Sequence, residues 1–516
     1  MGHAISHGRQ NPSKVSLDAD VLLIIFSFNT FTDDHFTRKD ALLSDFDMNH
    51  IITARYTSQV CRLWRSVMLS SPDIWENTID FRHLQQKGDD WRKEVLRRTG
   101  TSLLSIIAHN LKRESPGNNL FFSLLEQESG RIRRIATSTN TYFVGDKYHL
   151  AWSALFLKEV PHLEIVHFRN HHRKPYFSLN TTLSQTVLFN NKQTKIHTFI
   201  LEGFLVFLPG PWNASIHCME LEECRVESSL ILSLSGMQAL DSLRLVRCNT
   251  KASTEQDITL SEIQQFHFND YAQCAAGILD LIPRKQGSTT DITITENFNQ
   301  TIPVELESRL RRGLIMHTEG RFSDELSMDL HSFSIELSST VQLPWYNAKD
   351  TRIHISITFT MDIIPSLMLD ILAKGSTASI TQLYLDFQYF KFGEHHILDA
   401  AIRRFLRSLR SVEVLHTTVR NLKALMEQLH RGEIYFRLLH TLVLKPQATP
   451  ITMDLVDFVK KRLSIGLPLR MIDATGCECV DSDVLEYFKL RPRSYRLQLK
   501  WIRPPSQWET RRRRRE

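Results

Sequence analysis

Ile216-His217-Cys218-Met219-Glu220-Leu221-Glu222-Glu223-Cys224 is followed by Leu240-Asp241-Ser242-Leu243-Arg244-Leu245-Val246-Arg247-Cys248, 24 residues further along the chain. Both segments place apolar side chains at their first, fourth and sixth positions and a cysteine at the ninth. Apolar residues two apart, at positions four and six, belong on one face of a short strand. The apolar triplet by itself carries little weight, since roughly a dozen matches arise by chance in a chain this long. The regular spacing and the ninth-position cysteines carry the argument.

Working outward, Ile263-x-x-Phe266-x-Phe268 follows after 23 residues. Towards the C-terminus come Ile380-x-x-Leu383-x-Leu385, Leu409-x-x-Val412-x-Val414, Leu439-x-x-Leu442-x-Leu444 and Leu469-x-x-Ile472-x-Ala474-x-x-Cys477, at intervals of 29, 30 and 30. The set resembles leucine-rich repeats, which carry L-x-x-L-x-L-x-x-[NC] at periods of roughly 20–29 residues. That resemblance implies an irregular solenoid whose parallel strands line a concave face, with Cys224, Cys248 and Cys477 pointing inward to bond backbone groups where the strands end, as structural residues and not metal ligands or nucleophiles. The fifth position of each unit is expected to project into it: Glu220, Arg244, His267, Tyr384, Glu413, Val443 and Asp473. The row is mixed in charge and size, which suits a protein target better than a polyanion. Between 275 and 350 Asp291-Ile292-Thr293-Ile294-Thr295 and residues 332–337 alternate like strands, but the repeat register cannot be followed.

Composition sets the outer bounds. The 516 residues are 42% hydrophobic and 23% charged, ordinary globular usage that excludes a wholly disordered, collagen-like or disulfide-dense chain. The net charge is +6, and Arg511 to Arg515 alone supply five of those charges. The remainder is nearly balanced, so no nucleic acid partner is expected. Seven cysteines without a C-x-x-C fit a reducing compartment, cytoplasmic and/or nuclear. Residues 1–15 lack the apolar run of a secretion signal and no stretch of 18 apolar residues exists, so no membrane is expected. Met1-Gly2-His3-Ala4-Ile5-Ser6 fits the loose myristoylation pattern, which one acyl chain would turn into only marginal anchoring.

The N-terminal region reads as a small helical unit. A helix over 17–28 aligns Leu17, Val21, Ile24, Ile25 and Phe28 on one face, and Leu22 and Phe26 widen the apolar surface. Such a helix needs cover from more than one side, supplied by the chain itself or by a partner. After an acidic stretch over 29–49, a second helix carries Tyr56, Val60, Leu63, Trp64 and Val67. Pro72 ends it and opens a short helix bearing Ile74 and Trp75.

Leu17-Asp18-Ala19-Asp20-Val21-Leu22-Leu23-Ile24-Ile25-Phe26, then Ser58-Gln59-Val60-Cys61-Arg62-Leu63-Trp64-Arg65 and Ser71-Pro72-Asp73-Ile74-Trp75, resembles an F-box, with Asp18 in place of the usual proline. The long acidic interval and Leu96-Arg97-Arg98-Thr99-Gly100-Thr101-Ser102-Leu103-Leu104-Ser105-Ile106 resemble the F-box-like proteins of multicellular fungi. The resemblance implies docking onto a Skp-type adaptor and, through it, a cullin scaffold. Its contact residues would be Leu17, Val21, Leu22, Ile25, Phe26, Val60, Trp64, Ile74 and Trp75.

No nucleotide-binding, zinc-protease or hydrolase motif occurs. His162, His167, His171 and His172 lie around a strand that would scatter their rings over both faces, so no metal is expected. The expected architecture is α/β. It comprises a disordered N-terminus (1–15), an F-box helical bundle (16–80), a connecting helix and strand region (81–160), an irregular leucine-rich-repeat-like solenoid (161–502) and a basic tail (503–516). The expected activity is non-catalytic, without cofactor: the substrate-recognition subunit of an SCF-type ubiquitin ligase, its repeat domain holding an unknown target protein. The alternative is an adaptor-independent interaction scaffold with no ubiquitination role.

Overall fold

In the computed structural model, the described residues are 18–30, 50–77, 79–111, 116–139, 158–170, 189, 192, 194–203, 214–226, 234, 236–250, 263–279, 284–295, 304–318, 325–331, 334–342, 349–358, 363–375, 377–387, 396–445, 450–475, 477, 480–490 and 498–500. Among the described residues the fold is mixed α/β with parallel sheets, and no barrel closes. Two compact units divide the chain, Met1–His217 and Cys218–Glu516.

Among the described residues the first unit opens with four helices: α1 (Ala19–Thr30), α2 (His50–Thr57), α3 (Arg62–Ser70) and α4 (Pro72–Glu76). Asp18 sits at the N-terminus of α1, where its carboxylate accepts the Asp20 N–H at 3.2 Å and its carbonyl accepts the Leu22 N–H at 3.0 Å. Aspartate thus satisfies a donor that a helix start leaves open. Leu22 and Phe26 turn inward and are buried. Phe26 meets Trp64 edge-on, centroids 5.0 Å apart. Ile74 and Trp75 are fully buried, and the Trp75 indole donates to the Met68 carbonyl at 2.6 Å.

The single helix expected over 56–67 is two. The chain breaks at Ser58, whose hydroxyl donates to the Arg55 carbonyl, and Cys61 then caps α3 by accepting the Trp64 N–H at 3.5 Å. Val60 therefore lies in a turn, not on a helix. Leu17 and the acidic stretch over 31–49 lie outside the described residues.

Next come β1 (Ile79–Asp80), α5 (Asp90–Arg98), β2 (Leu104–Leu111), α6 (Asn118–Gln127), β3 (Ile132–Thr139), β4 (Ile165–Asn170) and β5 (Thr198–Glu202). The strands pair in parallel, each with its predecessor in the chain. Strand stacking thus starts at residue 79, at the end of the stretch read from sequence as the helical bundle (16–80), and β2 and β3 extend it through the stretch read as a connection (81–160). Strands β2 and β4 are buried on both faces, from Leu104 to His109 and from Ile165 to Arg169.

The second unit continues with β6 (Cys218–Glu222), β7 (Arg225–Val226), β8 (Ser242–Val246), β9 (Asn249–Thr250), β10 (Ile263–Tyr271), α7 (Ala272–Ile278) and β11 (Arg284–Thr295). After α8 (Val304–Thr318) come β12 (Glu325–His331), β13 (Ser334–Gln342) and β14 (Lys349–Thr358), then α9 (Ile363–Lys374) and β15 (Gln382–Phe387). The end alternates α10 (His396–Ser408), β16 (Val414–Thr417), α11 (Val419–His430), β17 (Thr441–Leu444), α12 (Met453–Ser464), β18 (Met471–Asp473), α13 (Ser482–Leu490) and β19 (Gln498–Lys500). The pairings run β6-β8-β10-β11-β14-β13-β12-β15-β16-β17-β18-β19. All are parallel except those of β13, which runs against both β12 and β14. An antiparallel meander is inserted in reversed order between β11 and β15. That reversal is why no regular repeat is visible between 275 and 350.

Inward side chains alternate with outward ones: Met219 and Leu221, Leu243 and Leu245, Phe266 and Phe268, Leu383 and Leu385 are all buried. The sequence frame at β16 needs correction. Leu383 pairs with Leu415 and Tyr384 with His416, so the aligned triplet is Val412, Leu415 and Thr417, all fully buried, and not Leu409, Val412 and Val414. Glu413 precedes the strand, and its carboxylate lies 3.6 Å from His440 Nε2; His416 holds the row position instead.

The ninth-position cysteines act as thiol donors to backbone. Cys248 Sγ donates to the Leu221 carbonyl at 3.2 Å, Cys224 Sγ to the Glu222 carbonyl at 3.3 Å and Cys477 Sγ to the Lys445 carbonyl at 3.7 Å. Glu223 and Arg247, immediately before two of them, share a left-handed φ of +52°, so the same corner is built twice. At the equivalent corner after β16 an asparagine serves. Asn421 is buried, and its amide donates to the Leu385 carbonyl at 3.1 Å and to Asp386 Oδ1 at 3.3 Å. At the end of β10 stands Asp270, whose carboxylate accepts the Tyr271 N–H at 2.7 Å. Burial pushes its pKa from 3.8 up to about 7.

Two outcomes follow from these corners. Asn421→Leu removes the amide's bonds to the buried Leu385 carbonyl, which the Thr417 hydroxyl also serves, and to Asp386, and is expected to cost about 1–3 kcal/mol, read as a lower urea midpoint. Asp270 holds a proton in the folded chain where the unfolded chain has lost it, so its contribution to stability falls as pH rises from about 4 to about 7. Urea titrations at the two ends of this window should show a smaller loss for Asp270→Asn than for the wild type; equal losses would refute that assignment.

Candidate functional site

Two surfaces answer to the residues singled out in the sequence, one in each unit. The first is the outside of the N-terminal helices. With Leu22 and Phe26 facing in, the helical period turns Val21, Ile24, Ile25 and Phe28 away from the core. Val21 and Ile25 are 43% and 42% exposed and Phe28 is 75% exposed. Ile52 and Tyr56 on α2, Val60 in the turn, and Leu63 and Leu69 on α3 are exposed as well. Nine of the sixteen exposed large apolar side chains among the described residues fall between positions 21 and 69. Exposed apolar side chains concentrated in one segment are candidates for contact with another molecule. Exposed Arg55, Arg62 and Arg65 accompany it.

The residues expected to touch an adaptor separate into two groups. Val21, Ile25 and Val60 are exposed, and Trp64 is half-buried against Phe26. Leu22, Phe26, Ile74 and Trp75 are instead the core of the bundle, each at most 1% exposed, and cannot contact a partner directly. Their part is to hold the outer side chains in place. The bundle's inward face consumes every fourth residue of α1, which sequence periodicity alone does not separate from its outward neighbours. Phe28, Ile52, Tyr56, Leu63 and Leu69 were absent from the expected contact set; their apolar character without a core position is the signal that identifies them.

The second surface is the outward row of the second unit's sheet. Strand register puts Glu220 beside Arg244, Arg244 beside His267 and His267 beside Asp291. Arg244 Nε lies 3.9 Å from the Glu220 carboxylate, and His267 Nδ1 lies 2.6 Å from Asp291 Oδ2. Together with Ser242 and Gln265 they line an open groove of about 440 Å³. Further along, Tyr384 and His416 stack at 3.9 Å with ring planes 13° apart. Val443 follows, then Asp473, which pairs with Lys500 at 3.3 Å.

Glu220, Arg244, His267, Tyr384, Val443 and Asp473 thus share one row, and Glu413 does not. Asp291 belongs to the row although its strand follows no repeat frame in the sequence, because the meander interrupts the frame, and His416 is displaced from it by an apolar triplet that matches three residues too early. The row offers paired donors and acceptors and one aromatic platform, chemistry suited to binding. Among the described residues no cluster of three or more metal-ligating side chains occurs, and no helix is long and apolar enough to cross a membrane. No protein-family model matches the chain, and no curated protein is significantly similar to it.

Proposed function

We propose that this chain is a non-catalytic substrate receptor of an SCF-type ubiquitin ligase. The outer surface of the N-terminal helices docks a Skp-type adaptor, and the strand row of the repeat-like sheet holds a target protein. Ubiquitin transfer then benefits from proximity alone, because raising the effective concentration of a target demands no chemistry from the receptor.

The observation that carries this reading is the split within α1. The helix is anchored by buried Leu22 and Phe26 while Val21, Ile24, Ile25 and Phe28 stay open, on the segment whose sequence resembles an F-box. Had the chain's own residues covered both sides of α1, no face would remain for an adaptor. Asp18 supports the reading too: it caps α1, so loss of the family's proline leaves the entry to the helix defined.

The test is co-purification of the full chain with a Skp-type adaptor. Wild type should retain the adaptor at micromolar concentration. Ile25→Asp and Val60→Asp should each weaken retention at least about tenfold, as expected for central apolar anchors, with little change in unfolding temperature because both sites are already exposed. Ile434→Asp, at an exposed position in the second unit, should retain the adaptor fully. Failure of the wild type to retain any adaptor would leave the scaffold reading in its place. By contrast Leu22→Ala should destabilise the bundle itself by about 2–5 kcal/mol, visible as a lower unfolding midpoint without any partner present.

A further inference from the structure

The groove over β6, β8, β10 and β11 has an ordered charge pattern. From one strand to the next it runs acid, base, imidazole, acid: Glu220, Arg244, His267, Asp291. The guanidinium of Arg244 approaches Glu220 only to 3.9 Å, beyond hydrogen-bond reach, and makes no hydrogen bond among the described residues. His267 is held at Nδ1 by Asp291, which orients the ring and leaves Nε2 as its remaining polar atom. Ser242 and Gln265 supply neutral polar groups along the groove's flank.

We propose that this groove binds an extended segment of a target protein in which one acidic side chain stands between two basic ones, in the order basic-x-acidic-x-basic. The proposal rests on the target-binding role given above to this sheet face and names the chemistry of the target. Neighbouring strands lie about 4.8 Å apart, so Glu220 and Asp291 are separated by roughly 14 Å across three steps. An extended peptide crossing the strands advances about 3.3 Å per residue and presents alternate side chains to the sheet. Residue i placed over Glu220 puts residue i+2 about 6.7 Å along, between Arg244 and His267, and residue i+4 about 13 Å along, over Asp291. The spacing of strands and the spacing of an extended chain therefore coincide over this motif.

Charge selects its order. A carboxylate at the centre takes two of the guanidinium donors in a forked bond and meets the imidazole edge. Lysine or arginine at either end replaces the internal pairings of Glu220 and Asp291 with pairings to the ligand. A carboxylate suits the centre better than a phosphate dianion, because Glu220 and Asp291 flank it on both sides and repulsion grows with the ligand's charge.

The test uses the full chain and fluorescein-labelled 12-residue peptides carrying Lys-Ala-Glu-Ala-Lys or its inversion Glu-Ala-Lys-Ala-Glu, read by fluorescence anisotropy. Exposed ion pairs are individually weak, so the expected dissociation constant for the first peptide is roughly 10–500 µM, with the inverted peptide at least about tenfold weaker. Arg244→Gln should lose at least about tenfold. Glu220→Lys should weaken Lys-Ala-Glu-Ala-Lys and strengthen Glu-Ala-Glu-Ala-Lys, a reversal that a merely misfolded variant does not produce. Equal binding of both orders, no effect of Arg244→Gln, or tighter binding of a peptide with phosphoserine at the centre would overturn the proposal. Adaptor retention measured on the same preparation separates the two readings. Ordered peptide binding without adaptor retention leaves the groove assignment standing and removes the ligase role, whereas adaptor retention without ordered binding does the reverse.

Discussion

Alternation of buried and open side chains along strands held in parallel register is the constraint on which the second unit depends. Once Met219, Leu221, Leu243, Leu245, Phe266 and Phe268 are committed to the interior, every intervening side chain must stand on the opposite face. The row from Glu220 through Arg244 and His267 is a by-product of that commitment and needs no further instruction from the sequence. Strand ends then pose a second demand, because each turn from sheet to return segment strands a backbone carbonyl. Cysteine thiols meet it at β6 and β8, an asparagine amide at β16, and each lies beside a sharp corner or helix start. Side-chain chemistry at these corners differs, but the acceptor served is of one kind.

The N-terminal helices obey a different balance. Among the described residues four short helices enclose a core built on Leu22, Phe26, Ile74 and Trp75, and so small a unit cannot bury all the apolar residues that its sequence carries. Buried residues that give the bundle its cohesion and exposed apolar residues occupy adjacent positions on one helix, Leu22 beside Val21 and Phe26 beside Ile25. Under the proposed adaptor docking, stability and recognition fall to separate side chains, so a variant can disturb either without the other.

Much of this was legible in the sequence, for physical reasons that also mark where legibility stopped. The pair of nine-residue segments ending in Cys224 and Cys248 fixed strand, corner and outward position together, and the structure places all three as expected. At β16 the reading slipped by three residues, because Leu409, Val412 and Leu415 are all apolar and all buried, so composition alone permits two frames. Thr417 completes the true frame, and a threonine at an interior position carries no apolar signal. In the meander the obstacle was topological: β13 runs antiparallel, which no local periodicity reports. For the helices, amphipathicity identified the apolar residues of α1 but not which of them the bundle would consume, since both faces are greasy.

The central claim, that the open side of α1 and the Val60 turn receive an adaptor, is tested most directly by hydrogen–deuterium exchange of the full chain with and without a Skp-type adaptor. The account predicts slowed exchange confined to residues 19–28 and 56–63, with the strands of the second unit unchanged. Unaltered exchange across both segments at saturating adaptor, or protection appearing only in the second unit, would contradict it.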